Sequence, residues 1–319
     1  MIAIYVIRRL CIGVLVLFIL SAVVFSMLQL SPGTPLQSLL GTRTASPELV
    51  QALQARYHLD ESFPAQYLHW LSGAARLDLG ESISVQSGEP VQQILAERAA
   101  VTAELAIYGL LLVALVGLPL GMLAGIRRGK AADRVVSIGA TIAISAPSFV
   151  VAILLLYVFG VNLGWFPVYG AGTGVTDRIV HLTLPAITLA LVLSAVVIRQ
   201  TRAAMLTVMA EDHVTFARLR GLHPAYILVR YALRNAALPI VTVFGLLLVS
   251  ALTSAVLIEQ VFSLPGLGSL LVASVTNEDV PVVQGTVLIL GCAVVIINLL
   301  VDVVVLAIDP RTRMAKEGA

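Results

Sequence analysis

The side chains best able to make specific polar contacts gather in one stretch, residues 211–239. It carries Glu211, Asp212, His213, Arg218, Arg220, His223, Arg230, Arg234 and Asn235. Their chemistry is recognition by ion pairing and hydrogen bonding. Covalent chemistry finds no motif: there is no His-Glu-x-x-His, no Gly-x-Ser-x-Gly and no clustered histidine for a metal. Nor is there a phosphate-binding Walker A loop, since Lys130 and Lys316 are the only lysines and Gly129-Lys130-Ala131 lacks the hydroxyl residue and the spacing. The expectation is a chain that is not an enzyme, with no metal or cofactor of its own.

The stretch has its own helical logic. Phe216, Leu219 and Arg220 lie three and four apart, as one face of a short helix requires. Gly221 sits where that helix must stop, because a left-handed cap costs glycine nothing. Pro224 is placed to open a second helix, its fixed φ and missing N–H suiting a first turn. Arg230 and Arg234, one turn apart, hold that helix at a water boundary, and Leu238-Pro239 marks the entry into the next apolar run. The predicted object is a helix–glycine–helix elbow, a knob for another protein. The competing reading is an amphipathic elbow lying on lipid headgroups.

The elements that must position this elbow are apolar. The 319 residues are 59% hydrophobic and 12% charged, against about a quarter charged in soluble domains, and mean hydropathy is +0.98. An all-α, polytopic membrane protein is predicted. A net charge of +2 provides no basic field for nucleic acid. Cys11 and Cys292, both in apolar runs, predict neither a disulfide framework nor a metal site.

Six spans are expected. Residues 10–30 are uncharged and long enough to cross a hydrocarbon core of ~30 Å; they are read as a retained helix rather than a cleaved signal. Residues 31–102 form an extracytoplasmic segment, with one short amphipathic helix from Ser46-Pro47 through Leu49, Leu53 and Tyr57, and another around Tyr67, Trp70 and Leu71. Residues 103–319 form a five-helix core. Its spans are 105–126, 135–160 interrupted by Pro147, 181–198 with Pro185 near its start, 235–258, and one that contains 287–301, starts a few residues earlier and continues past Asp302 to Ile308; the coupling loop is 209–235. Gly117, Gly121 and Gly125 form a small-residue row that permits close helix contact. Trp165, Pro167 and Tyr169 suit an interfacial belt. The N-terminus, the loop after the second span, the elbow region and the C-terminus carry two, four, six and three basic residues, against four, one and none in the opposite loops. The positive-inside rule then puts both termini and the elbow in the cytoplasm.

Residues 259–285 are the second informative stretch. They are acidic (Glu259, Glu278, Asp279), without a basic residue, and apolar enough to fold back into the mouth of the bundle, with Leu267, Leu270 and Leu271 as the buried face. Two further carboxylates stand in apolar context. Asp302 reads as reaching the interface or pairing with an elbow arginine. Glu104, opening the second span, reads equally as a solvated helix N-terminal carboxylate or as a ligand contact.

Taken with these patterns, Asp212, Ala217, Arg218, Gly221, Leu222, Leu233, Arg234, Asn235, Leu238 and Pro239 fall where permeases of peptide-type ATP-binding-cassette importers carry their ATPase-contacting loop. Val261-Phe262-Ser263-Leu264-Pro265-Gly266-Leu267-Gly268 and Asp279-Val280-Pro281-Val282-Val283-Gln284-Gly285 resemble that family's extracytoplasmic gate segment. Tyr5-Val6-Ile7-Arg8-Arg9-Leu10, Pro32-Gly33-Thr34-Pro35, His58-Leu59-Asp60, Gln66-Tyr67, Asp78-Leu79-Gly80 and Ser145-Ala146-Pro147-Ser148-Phe149 are similar to its other conserved blocks. The departures are Thr215, Phe216 and Ala217 in place of Glu-Ala-Ala, Leu219-Arg220 in place of Ala-Lys, and His213 where tyrosine is common.

The resemblance implies a type I importer permease in a bacterial inner membrane, for di- or oligopeptides or, in the same family, nickel chelates. It implies a second related permease subunit, two ATPases holding ATP and Mg, and an extracytoplasmic binding protein, with lipid around the bundle. It assigns coupling to Asp212, Phe216, Ala217, Arg218, Gly221, Leu222, Arg234, Asn235, Leu238 and Pro239, and the gate to Phe262, Pro265, Gly266, Leu267, Gly268, Asp279, Pro281, Gln284 and Gly285. Two other readings stand beside it, an ion-coupled secondary transporter and a membrane scaffold that transports nothing.

Overall fold

The computed structural model describes residues 2–29 and 61–308, almost all of them helical. In chain order the helices are α1 (Ile2–Gln29), α2 (Phe63–Ala75), α3 (Val91–Leu112), α4 (Leu118–Ile126), α5 (Ala131–Ser145), α6 (Ser148–Leu155), α7 (Gly174–Met209), α8 (Asp212–Leu219), α9 (Pro224–Ile227), α10 (Arg234–Val261), α11 (Leu267–Thr276) and α12 (Val280–Ile308). Three π-helical turns, Val113–Gly117, Leu156–Asn162 and Leu228–Leu233, join or extend them.

Among the described residues, five stretches are long and apolar enough to cross a membrane: Val6–Ser26, Val91–Ile126, Gly174–Met209, Pro239–Val261 and Val280–Ala307. The expected third span is a pair, Ala131–Ser145 and Ser148–Asn162, bent by 101°. Pro147 is the cause. It withholds an N–H, and it drives Ala146 into extended backbone (ψ 126°), where a helix cannot continue. The second span begins at Val91 rather than Leu105. The polar Gln92, Gln93, Glu97 and Arg98 hide that first part from a hydropathy reading, while Val91, Ile94 and Leu95 beside them are buried. The fourth span is also longer than expected, whereas the sixth starts a few residues before Val287 and runs to Ile308 as read from the sequence. The helix predicted from Ser46-Pro47, the Pro32–Pro35 and His58–Asp60 blocks and the C-terminal basic residues lie outside the described residues.

The chain divides into two compact units. The first comprises Met1–Val101 and Pro265–Val295. In it α2, opened by Ser62 in extended backbone and Pro64, lays Phe63, Tyr67 and Trp70 against Phe18 and Phe25 of α1, with ring centroids 5.5–5.9 Å apart. Ser21 and Tyr67 share a 2.9 Å hydrogen bond. This is the predicted Tyr67–Trp70 helix, resting on the first span. A second core joins Val91, Ile94 and Leu95 to Leu267, Leu270 and Val282, with Leu79 and Val85 packed over it.

The second unit comprises Thr102–Leu264 and Ile296–Ala319, with the 36-residue α7 as its spine. That helix packs against α4, α5 and α10. The glycine row faces it. A Cβ on Gly121 would stand 2.7 Å from Thr201 Cβ and 2.9 Å from the Ile198 carbonyl, and one on Gly125 2.5 Å from Met205 Cβ. The small-residue row is therefore an intramolecular seam.

Candidate functional site

At the far end of α7 the chain turns through the elbow. Glu211 is extended (φ −73°, ψ 150°) and α8 follows. It ends where Gly221 takes φ +71°, with the Gly221 and Leu222 N–H groups donating to the Arg218 and Ala217 carbonyls at 2.9 and 3.3 Å. Pro224 opens α9, and His223 Nδ1 accepts the Ala225 N–H at 3.3 Å. The predicted glycine stop and proline start are both present. The chain then passes through the π-turn Leu228–Leu233 directly into α10, which continues through Pro239.

The elbow is anchored by small and β-branched residues. Val214 and Ala217, three apart on α8, pack with Met205, Val208 and Ile227, and Leu222 and Tyr231 close the rim. Phe216 and Leu219 do share a face with Arg220, as expected, but it is the outward one: Phe216 is 64% and Leu219 78% exposed. Tyr226 and Val229 add to the apolar exposure, and Asp212, Arg218, Arg220, Gly221 and Arg230 are exposed around them. Pro239 is exposed. The side chains of Arg234, Asn235 and Leu238 lie outside the described ones.

Sequence reasoning missed the clamp beneath the elbow. Two turns before its end, α7 presents Arg202, whose Nε and Nη2 donate to the two Asp133 carboxylate oxygens at 2.6 and 3.0 Å. Asp133 also accepts the Gly129 N–H at 2.9 Å and the Ser137 hydroxyl at 3.3 Å, and is buried. A fork–fork pair fixes direction as well as distance, so α5 and its preceding turn are locked to the helix that carries the elbow. No local pattern joins residues 69 positions apart.

The second predicted site resolves into a turn, α11 and the start of α12. Glu259 belongs to α10 rather than to a loop. It is fully buried, and Thr102 Oγ1 donates to it at 2.7 Å. Phe262 is buried and Pro265 half-buried. Gly266 caps α11, where Ser269 Oγ accepts its N–H at 3.0 Å. Leu267, Gly268 and Leu270 are buried and Leu271 half-buried, so the predicted buried face holds.

Asp279 is the centre of this region. It is fully buried, and its carboxylate accepts from Ser82 Oγ at 2.6 Å and from the N–H groups of Ile83, Ser84 and Val85 at 2.9–3.2 Å. Burial pushes its pKa up, but the hydroxyl and the three N–H groups outweigh burial and hold it below the usual carboxylate value. Pro281 is half-buried and Gln284 buried. Gly285 is packed so closely that a Cβ would meet Val91 Cγ1 at 2.8 Å. Asp302 is half-buried in the last turns of α12.

Compared with known proteins, residues 117–314 match the family described as binding-protein-dependent transport system inner membrane component, and residues 1–106 match the N-terminal part of such membrane components. The chain belongs to this family. As a member it is the multi-pass permease subunit of an ATP-binding-cassette importer of the inner membrane, a transport subunit and not an enzyme. It is 37% identical over 316 residues to a Brucella ovis protein named as a peptide permease, covering 97% of this chain and 99% of the relative. It is 36% identical over 309 residues to the glutathione transport system permease protein GsiC of Escherichia coli, covering 97% and 98%. Among solved structures, a chain of the inward-facing MetNI methionine transporter aligns with a TM-score of 0.60 at 19% identity, over 70% of this chain and 99% of that one. This permease therefore shares the fold of that chain.

Proposed function

We propose that this permease carries peptides or peptide-like molecules, and that residues 211–239 couple it to the cytoplasmic ATPases. The observation that carries the coupling reading is the elbow's polarity: small residues face inward on a clamped base, and Phe216 and Leu219 face outward amid exposed arginines. Apolar anchors ringed by charge are what a protein socket selects. The names of the relatives support the cargo class.

In this reading both termini and the elbow are cytoplasmic. The elbow sits in a cleft of two ATPase subunits, which hold the ATP and Mg; this chain holds no cofactor. A second, related permease completes the path, lipid surrounds it, and an extracytoplasmic binding protein delivers cargo. Asp212, Phe216, Ala217, Arg218, Gly221 and Leu222 form the knob, with Arg234, Asn235, Leu238 and Pro239 where it enters α10. Phe262, Pro265, Gly266, Leu267, Gly268, Asp279, Pro281, Gln284 and Gly285 shape the outer gate. Closure of the ATPases shifts the path between outward- and inward-open states only to the extent that the elbow fits the two ATPase states differently.

The test is ATP hydrolysis by the complete complex in proteoliposomes, with peptide-loaded binding protein added. Phe216→Asp with Leu219→Asp is expected to leave the permease assembled and to abolish stimulation. Unchanged stimulation in an intact complex would refute the coupling reading.

A further inference from the structure

Two arginines of unit 2 end on carboxylates of the same unit, Arg178 on Glu104 at 2.7 Å and Arg202 on Asp133 at 2.6 Å. Four basic residues of one turn do not. Arg127, Arg128, Lys130 and Arg134 are all exposed and form no ion pair among the described residues. Asp133 is the one acid in their stretch, and it is buried and committed to Arg202 and the Gly129 N–H. The turn holds its cations in a fixed arrangement. The Arg127 N–H donates to the Leu123 carbonyl, and the Lys130 N–H to the Arg127 carbonyl, each at 3.0 Å. Gly129 takes φ +75°, and the Arg134 N–H donates to the Lys130 carbonyl at 3.2 Å as α5 opens. The first N–H groups of α5 have no intrahelical carbonyl to reach and add partial positive charge. The turn stands at the elbow's end of the unit. Gly117, Gly121 and Gly125 lie against Val197, Thr201 and Met205 in that order, so α4 and α7 run parallel and end together. Beyond the turn, α5 has two faces. Ala140 packs on Ala195 and Ile198. On the other face Val135, Ile138 and Ile142, three and four apart, are 69%, 60% and 66% exposed. Gly139 leaves a notch among them, with nothing within 4 Å of a Cβ.

We propose that the 127–134 turn and this outer face of α5 form a binding site for an anionic phospholipid. The headgroup phosphate lies against Arg128, Lys130 and Arg134, and an acyl chain runs along Val135, Ile138 and Ile142 over the Gly139 notch. What selects a lipid is the order of the two chemistries along a single helix. From Lys130 to Ile142 is a rise of about 18 Å, close to half the ~30 Å hydrocarbon core. One continuous surface therefore passes from cationic to apolar over the depth of one leaflet. A soluble acidic protein would match the cations and leave Ile138 and Ile142 uncovered. An apolar membrane helix would cover the stripe and leave four charges without a counter-charge. An anionic phospholipid brings both parts on one molecule. A zwitterionic headgroup also brings an ammonium, which the cations repel. Each cation at an anionic headgroup strengthens binding about fivefold.

The site depends on neither the cargo nor the coupling reading. Its test is native mass spectrometry of the complete importer complex, released from detergent micelles carrying phosphatidylglycerol or phosphatidylcholine with the same acyl chains. Arg128→Gln, Lys130→Gln and Arg134→Gln together should remove one retained phosphatidylglycerol per copy of this chain, its affinity falling more than tenfold. Retention of phosphatidylcholine should not change, and the ATPases should stay bound. Gly139→Leu fills the notch without altering charge; it should weaken phosphatidylglycerol retention about fivefold, and it keeps the test standing if the triple variant fails to assemble. Equal retention of phosphatidylglycerol by the wild type and an assembled triple variant overturns the site, as does equal loss of both lipids. Displacement of the lipid by glycerol 3-phosphate as readily as by phosphatidylglycerol overturns it in favour of a free phosphate. A triple variant that keeps its lipid and sheds the ATPases overturns it in favour of a protein contact.

Discussion

The elbow and the α11 region are both turns between spanning helices, yet they treat leucine oppositely. On α8, Leu219 is 78% exposed; on α11, Leu270 is 2% exposed, enclosed by Val91, Ile94, Leu95 and Val282. Glycine differs in the same sense. Gly221 is needed for its backbone, with φ +71° and nothing within 4 Å of a Cβ, whereas Gly285 is needed for its size. Aspartate differs too, since Asp212 is exposed and Asp279 saturated with donors. One turn finds its cover within the chain. The other leaves its apolar face uncovered by its own chain, and that is the physical content of proposing it as a coupling site.

The largest break in this contrast should come at Asp279. Asp279→Ala strips an acceptor from a buried hydroxyl and three N–H groups, each costing about 1–3 kcal/mol when unsatisfied. The expected loss is about 4 kcal/mol, read as a lowered thermal midpoint of the purified permease in detergent. Acid should act in the same direction. Because the folded-state pKa lies below the unfolded one, this stabilisation is complete above the ordinary carboxyl range and is lost as pH falls below it. Asp279→Asn should remove most of that acid dependence, and a melting series from pH 6 downward checks it.

Leu270→Ala comes next, at about 3 kcal/mol, from lost contacts and the cavity left behind. Gly285→Val follows at about 2 kcal/mol. Its first added carbon already meets Val91 at 2.8 Å and Leu95 at 3.1 Å, so the helix start must shift. Both are read in the same melting assay. A loss under about 0.5 kcal/mol at either would mean that the α11 cover is looser than the geometry shows.

These residues also separate what the sequence made legible from what it hid. Gly221 and Pro224 were readable because a cap and a first turn are local requirements, satisfied within four residues. The buried face of α11 was readable from the spacing of Leu267 and Leu270. The partners of Asp279 were not, because Ser82 is 197 positions away. Asp133 and Arg202 were silent for the same reason. The early start at Val91 was concealed because Glu97 and Arg98 interrupt the apolar run, although their helix buries Ile94 and Leu95 against its own unit. Pro147 was legible as an interruption, but the angle it produces depends on packing that no dipeptide specifies. On the elbow, the periodicity of Phe216 and Leu219 was read correctly as a shared face, and only the structure gave its direction, because Val214 and Ala217 fill the inward one.

Gly221→Ala should cost about 1 kcal/mol, the ordinary charge for a left-handed L-residue with no steric clash around it. Gly221→Asn should recover part of that, since asparagine tolerates this conformation better. The pair of melting temperatures tests whether the elbow uses glycine for backbone alone; a larger loss for alanine would reveal a contact at the bend.

The smallest stability effect belongs to Leu219→Ala, within about 0.5 kcal/mol, because an exposed side chain has few contacts to lose. Chemically it is the same change as Leu270→Ala, so the two variants form a matched pair. Stability alone would then class Leu219 as idle surface. Affinity should not: truncation of an apolar anchor at the centre of an interface costs about 2 kcal/mol or more, roughly thirtyfold in dissociation constant. Titrating the purified ATPases onto the permease in nanodiscs measures this directly. Weak binding with an unaltered melting temperature is the signature of a face completed by a partner. Unaltered binding would mean that lipid headgroups cover this leucine, and the contrast between the two turns would become one between two solvents rather than between a fold and an interface.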